Sequence, residues 1–155
     1  MLCGKKMSKK YYKKQANHES HIRKALAEYL HLQYPNTFWW FDLTGEKMPI
    51  GQAKKLSKLK CRKGIPDFFM AEKTSKYNGL FIELKRDDRY VEKIIDDENF
   101  GSGKLKEHIE EQRKMIEGLN DRGYYATFAV GFEDAKAVID RYLSCVVVNE
   151  TSRWY

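Results

Sequence analysis

The apolar residues of the chain recur first at helical spacing and then at strand spacing. Between about residues 17 and 31 they follow an i, i+4, i+7, i+8 pattern behind a suitable N-cap, Asn17, which predicts a first helix. The aromatic run at 38–41 predicts a buried strand, because aromatic residues are enriched in strands. Gly and Pro residues interrupt 43–64, which is predicted to be mostly loop with a short helix near 52–58.

The middle of the chain predicts two paired strands. One should follow Pro66 and run through 68–71. A two-residue hairpin turn at 78–79, Asn-Gly, should lead into the clearest strand of the chain, 80–85. Residues 86–103 are charged and end in Gly-Ser-Gly, which predicts a mobile excursion.

The last third predicts two helices around one more strand. A helix is expected from about 105 to 122, with Gly123 at its C′ position. A buried strand over 124–130 and a helix over 134–143 follow, and a further short strand is possible at 146–148. The apolar face of the 105–122 helix consists of Leu105, Ile109, Ile116 and Leu119.

The element order, αβββαβα, predicts an α/β fold with a central mixed sheet flanked by helices. The 155 residues suit a single domain over 17–155, preceded by a flexible basic arm at 1–16. A hydrophobic content of 42% excludes a wholly disordered chain. No apolar run approaches the ~20 residues of a membrane-spanning helix. Three scattered cysteines suit a reducing compartment, the cytoplasm of a bacterium or viral host, or the nucleus of a eukaryote.

Positive charge is confined to two segments of the chain. The net charge is +7, but twelve of the 29 basic residues lie in two acid-free stretches, 1–14 and 54–63. The remaining 17 basic residues face 22 acidic ones, a net charge of −5. Clustered cations of this kind indicate a site for a polyanion such as DNA. The alternative is a solubilising tail plus a solvated loop, and we prefer it for the N-terminal stretch but not for 54–63. The residues of the second stretch are Lys54, Lys55, Lys58, Lys60, Arg62 and Lys63.

Strand alternation places Glu83 and Lys85 on one face of the 80–85 strand, about 7 Å apart at their Cα atoms. Asp67 opens the preceding strand, and an antiparallel pairing would set it beside Glu83. Two adjacent carboxylates repel unless a cation lies between them, and Mg²⁺ is the default ion for oxygen ligands. The alternative is a structural ion pair between Lys85 and either carboxylate.

Two polar residues interrupt apolar helix faces. Glu19 lies three residues before Ile22 on the stripe of the first helix, and Gln112 lies three residues after Ile109 on the stripe of the 105–122 helix. Both are explained if the two helices close over one polar site that contains Asp67. The alternatives are a helix-start acid for Glu19 and a satisfied buried amide for Gln112.

Four short motifs, in order, resemble a VRR-NUC domain, a branch of the PD-(D/E)xK nuclease superfamily with the restriction-endonuclease-like fold. They are His18-Glu19-Ser20-His21-Ile22, Lys63-Gly64-Ile65-Pro66-Asp67, Phe81-Ile82-Glu83-Leu84-Lys85, and Glu111-Gln112 leading to Gly123-Tyr124-Tyr125-Ala126. The resemblance covers about 17–143 and is closest to standalone, virus-type members. It implies that Asp67, Glu83, Glu19 and the Leu84 carbonyl bind the metal, that Lys85 is the catalytic lysine, and that Gln112 lies beside it.

The resemblance implies a metal-dependent DNA endonuclease that uses Mg²⁺, with Mn²⁺ able to substitute. No base-reading module is visible, which favours a structure-selective enzyme and a homodimer that resolves Holliday junctions or other branched DNA. Alternatives are a nuclease for flaps or nicked duplex and a non-catalytic nucleic-acid-binding module. The 86–103 excursion is longer than the usual link and holds six acids against three basic residues, so it should not bind DNA directly.

Overall fold

The structure, a computed structural model, describes residues 9–43, 49–86 and 88–145. Within these ranges the chain forms five helices and four strands. In chain order they are α1 (Lys9–Gln33), β1 (Trp39–Phe41), α2 (Ile50–Ser57), β2 (Phe68–Met70), β3 (Leu80–Lys85), α3 (Arg89–Asp96), α4 (Lys104–Asn120), β4 (Tyr125–Val130) and α5 (Gly131–Leu143).

The four strands form one mixed sheet in the order β1-β2-β3-β4. The first three strands are antiparallel, with Trp39 paired to Met70 and Phe68 to Ile82, whereas β4 runs parallel to β3. A parallel neighbour requires a crossover connection, and α3 and α4 supply it. The predicted α/β fold with a mixed sheet flanked by helices is therefore confirmed.

The main core lies between one face of the sheet and the helices α1 and α5. Alternate residues of β3, Leu80, Ile82 and Leu84, are buried there against α1 residues such as Leu26 and Leu30. Truncating a fully buried leucine to alanine costs about 2–5 kcal/mol, so this layer fixes where β3 lies. The other residues of β3 face the opposite side of the sheet, where α4 packs.

The first helix begins earlier than the sequence analysis predicted. The expected start at Asn17 is wrong, because α1 extends from Lys9 to Gln33. Residues 9–16 consist of four Lys, two Tyr, one Gln and one Ala and contain no Gly or Pro, so nothing in their composition stops the helix. The basic arm predicted over 1–16 thus overlaps α1, and its residues 1–8 lie outside the described part of the chain.

The aromatic run after α1 forms an edge strand, and the prediction that all of it is buried was wrong. Trp39 and Phe41 pack against the main core, but Trp40 on the opposite face is 55% exposed and Phe38 is 71% exposed. A strand at a sheet edge has only one neighbour, and residues on its two faces meet different surroundings.

The predicted two-residue hairpin at 78–79 is also wrong. Met70 pairs with Leu80, so the connection between β2 and β3 runs from 71 to 79. Gly79 does not have the positive φ of a tight hairpin turn. It is instead a point of close approach, because a Cβ there would lie 3.0 Å from the Met70 carbonyl oxygen.

The charged 86–103 segment contains a short helix, α3, where a mobile excursion was predicted. Asp88 caps it by accepting a hydrogen bond from the Tyr90 N–H, 2.9 Å. Val91 and Ile94 are buried against Ile109 of α4 in a second, smaller core. The three-residue spacing of these apolar positions was hidden by the charges on the other side of the helix.

The end of α4 follows the prediction. Gly123 has a φ of +81°, its N–H donates to the Asn120 carbonyl, and the Tyr124 N–H donates to Leu119, which is the Schellman pattern with Gly123 at C′. Leu105, predicted on the apolar face of this helix, is 39% exposed. The possible strand at 146–148 lies outside the described residues.

Candidate active site

The loop before β2 holds Asp67 in a fixed place. Gly64 has a φ of +78°, and a Cβ there would lie 3.4 Å from the Glu111 carbonyl oxygen and 3.5 Å from the Gln112 Cα. The loop therefore packs directly on the backbone of α4, at the turn that carries Gln112. Pro66 is buried, and the Asp42 N–H donates to the Asp67 carbonyl oxygen across 2.7 Å.

The Asp67 carboxylate joins three elements. Its Oδ1 accepts a hydrogen bond from Nη2 of Arg23 on α1, 2.9 Å away, and its Oδ2 accepts from the Leu84 N–H, 3.2 Å away. Because Phe68 pairs with Ile82, the register sets Asp67 next to Glu83. The predicted juxtaposition of the two carboxylates is thus present.

The Glu83 carboxylate is buried between Lys85 and α4. Its Oε1 accepts hydrogen bonds from Nζ of Lys85, 2.7 Å away, and from Nε2 of Gln112. The same Gln112 nitrogen lies 3.1 Å from Nε2 of His108. Within the described residues, Oε1 of Gln112 is buried without a hydrogen-bond partner. Gln112 therefore contacts Glu83, and its side-chain oxygen is left as an acceptor there.

Burial raises the pKa of both carboxyl groups. The pKa of Glu83 is raised to about 7, with the negative charges of Asp67 and Glu19 adding to the effect of burial and Lys85 opposing it. Burial also raises the pKa of Asp67, against the attraction of Arg23 and Lys85. A bound cation would relieve the cost of two neighbouring buried carboxylates.

The donor set fits a hard divalent cation in its chemistry, since it consists of carboxylate and amide oxygens. The residues that would hold the ion are Asp67 and Glu83. Glu19 is half-buried and its charge acts on Glu83. In the part of the chain that the structure describes, no group of three or more His, Cys, Asp or Glu side chains lies close enough to hold a metal. The role of Glu19 as a ligand stays a prediction.

Two residues of the site were missed in the sequence. Arg23 lies one turn after Glu19 on α1, and His108 lies one turn before Gln112 on α4. The i, i+4 spacing puts each on the same helix face as the residue that was identified, and this spacing was the available signal. The ion pair of Lys85 with Glu83 is the one that the structural alternative expected. Asp67 beside it is half-buried and has its own ion pair, with Arg23, so the site brings two carboxylates and two cations together.

The basic 54–63 segment is exposed beside the site. Its Lys and Arg side chains are exposed except for that of Lys60, which is half-buried and forms an ion pair with Asp42. A groove of about 760 Å³ lies between this segment and α4, with Arg62 and Lys63 on one wall and Lys114 and Arg122 on the other. Lys114, on α4, and Arg122, just after the end of that helix, were not identified from the sequence, because both lie outside the two acid-free basic stretches.

The mixed four-stranded sheet flanked by helices is an α/β architecture consistent with the restriction-endonuclease-like fold. Neither a family model nor a curated protein matches the sequence. A solved structure described as a "VRR_NUC domain protein" has the same fold, with a TM-score of 0.58 and 20% sequence identity. The match covers 88% of this chain and 97% of that one. In the described residues, no helix is long and apolar enough to cross a membrane.

Proposed function

We propose that the protein is a metal-dependent DNA endonuclease of the VRR-NUC type. The observation that carries the proposal is the buried Glu83 carboxylate, which contacts both Lys85 and Gln112 and lies next to Asp67. Carboxylates whose pKa values are raised by burial are enriched at functional sites, where burial and neighbouring charges adjust acids and bases to their task.

In this proposal Asp67 and Glu83 hold Mg²⁺, or Mn²⁺ in its place, with help from Glu19 and the Leu84 carbonyl. When bound, such an ion acts as a Lewis acid and lowers the pKa of water. Lys85 stabilises the negative charge that develops at the scissile phosphate. Gln112 fixes the Glu83 carboxylate through its hydrogen bond, and Arg23 fixes that of Asp67.

The substrate proposed is DNA, held through its backbone. The cations Lys54, Lys55, Lys58, Lys60, Arg62 and Lys63 precede Asp67 directly in the chain and can contact phosphates on either side of the cut. Contacts to phosphates position DNA without reading its sequence, so selectivity rests on DNA structure. Branched substrates such as four-way junctions, cut in pairs by a homodimer, are the finer form of the proposal, with flaps or nicked duplex as the alternative.

The test is a cleavage assay with purified protein on duplex, flap and four-way-junction DNA, with Mg²⁺, Mn²⁺ or EDTA. Asp67→Ala, Glu83→Ala and Lys85→Ala should each abolish cutting while DNA binding persists. Matched controls on exposed surface are Glu117→Ala for the carboxylates and Lys73→Ala for the lysine. Cutting in excess EDTA, or full activity of Lys85→Ala, would contradict the mechanism. Binding without any cutting by the wild type would favour a non-catalytic binding module.

A further inference from the structure

A row of aromatic rings crosses the sheet on the face that carries the candidate active site. Phe81 lies two residues before Glu83 on β3, so both side chains point to the same side. The register pairs Phe81 with Phe69 and Phe69 with Trp40. The ring centroids are 4.4 Å apart for Phe81 and Phe69 and 4.6 Å apart for Phe69 and Trp40. The row ends at the sheet edge with Trp40 55% exposed.

The aromatic row lies directly beside the carboxylates. Asp67 and Phe69 are two residues apart on one strand path, as are Glu83 and Phe81 on the next, and two residues of a strand span about 7 Å. A phosphate held at the carboxylates would therefore place the adjoining nucleotides within reach of the rings.

A cleft of about 580 Å³ opens over these rings. Its floor is formed by Trp40, Phe69 and Phe81, and its far wall by the segment that runs from α2 to β2, including Leu56 and Ile65. That segment also carries the exposed lysines Lys55 and Lys58. The charged residues that line the cleft itself are Lys60 and Asp42, which form an ion pair. The cleft thus combines aromatic surfaces with a wall segment that carries further cations outside the cleft lining.

We propose that the aromatic row, Trp40-Phe69-Phe81, is a stacking platform for unpaired nucleotides of the substrate; this proposal rests on the proposed function, whose substrate class it narrows. Base stacking on aromatic rings is tolerant of sequence, and the adjacent lysines match the phosphates of the same strand. The substrate is then DNA with a single-stranded segment next to the cut, rather than intact duplex. A surface that is only apolar would instead suit a second copy of the chain. The lysines of the wall segment favour an anionic occupant over such a copy.

The experiment measures binding in EDTA, so that it does not depend on cleavage. Fluorescence anisotropy gives the affinity for a labelled oligothymidylate and for a mixed-sequence duplex of equal length at one salt concentration. Trp40→Ala should weaken single-strand binding about 5- to 140-fold, the loss expected for one stacked base, and leave duplex binding within about twofold. Leu32→Ala, which removes another exposed apolar side chain, on α1, is the control and should change neither.

A matched pair of variants isolates the aromatic ring. Trp40→Phe keeps a stacking face and should restore most of the single-strand affinity, whereas Trp40→Leu keeps apolar volume without that face and should not. Thermal unfolding of both variants checks that they fold. If Trp40→Leu and Trp40→Phe bind the oligothymidylate equally, or if all variants lose duplex affinity to the same extent as single-strand affinity, the proposal is overturned.

Light scattering on the same samples tests the other occupant of this face, a second copy of the chain. If Trp40→Ala halves the mass of the protein and leaves single-strand affinity unchanged, the face is an interface between copies and the platform is wrong. Failure of the proposed function gives a different result. If wild-type protein cuts no DNA with Mg²⁺ but Trp40→Phe still binds the oligothymidylate more tightly than Trp40→Leu, the stacking platform is supported and the nuclease activity is not.

Discussion

Replacing Glu83 with glutamine should stabilise the metal-free protein at neutral and alkaline pH. The pKa of this buried carboxyl is raised from 4.5 to about 7 on folding. Between those two values the folded state binds more protons than the unfolded state, so the free energy of unfolding falls as pH rises. Above pH 7 the folded wild type carries the full cost of an ionised Glu83 carboxylate, about 3 kcal/mol at 1.36 kcal/mol per pKa unit. Glutamine is neutral and can still accept the hydrogen bond from Lys85.

The assay is urea unfolding of wild type and Glu83→Gln in EDTA, at intervals from pH 4 to pH 8. The difference in the free energy of unfolding between variant and wild type should increase by about 3 kcal/mol across this range and level off above pH 7. Glu117→Gln, at an exposed position on the same fold, should show no such increase. A constant difference from pH 4 to pH 8 would contradict this prediction, because it would mean that Glu83 titrates alike in the folded and unfolded states.

The same unfolding experiment with Mg²⁺ tests whether the Glu83 carboxylate that destabilises the metal-free protein binds the metal. At pH 8 and 100 times the dissociation constant, a ligand that binds only the folded state stabilises it by about 2.7 kcal/mol. Wild type should gain stability of this order and Glu83→Gln should gain much less. Equal stabilisation of both proteins would place the ion elsewhere.

Three further predictions concern the rest of the site. Gln112→Ala should slow cleavage, and Glu19→Gln should raise the Mg²⁺ concentration that cleavage requires. A metal titration measures both effects. Wild-type rates for both variants would mean that these residues have only a structural role. Neutralising four lysines of the basic segment should weaken binding to all DNA sequences alike. It should also reduce the slope of log affinity against log salt concentration by about 0.9 for each lost phosphate contact. An unchanged slope would mean that DNA binds at another surface. The four are Lys54, Lys55, Lys58 and Lys60. Light scattering should give a dimer mass at concentrations that support paired incisions, and a monomer mass there would exclude the symmetric dimer.

Where the apolar residues of a segment follow one regular spacing, the sequence predicts the structure closely. The apolar residues of β3 and α5 follow simple alternation and helical spacing, and Ile82 and Ile139 are fully buried as expected. The position of Asp67 next to Glu83 was predictable for the same reason, since it needed only the strand directions and a register.

Where charge or aromatic content masked the period, the predictions were wrong. In α3 the apolar Val91 and Ile94 are separated by charged residues, and the short helix is stabilised by contact with Ile109, which sequence alone does not reveal. Burial of Trp40 depends on whether β1 has one neighbour or two, a property of sheet order rather than of the residue. Arg23 could not be assigned to Asp67, because 44 residues separate them and only the packed fold joins them.

The hydrogen bond from the Leu84 N–H to the Asp67 side chain has a consequence for how strand β3 is completed. β2 ends its pairing at Phe68, so beyond Ile82 the backbone of β3 has lost that antiparallel neighbour. The Asp67 carboxylate substitutes for the missing carbonyl partner of the ladder. An alanine at this position leaves a buried amide without an acceptor, at a cost of about 1–3 kcal/mol, whereas an asparagine can retain the bond. The amide proton of Leu84 should therefore exchange slowly with solvent in an Asp67→Asn protein and quickly in Asp67→Ala, which makes one backbone amide a reporter of whether the site is intact.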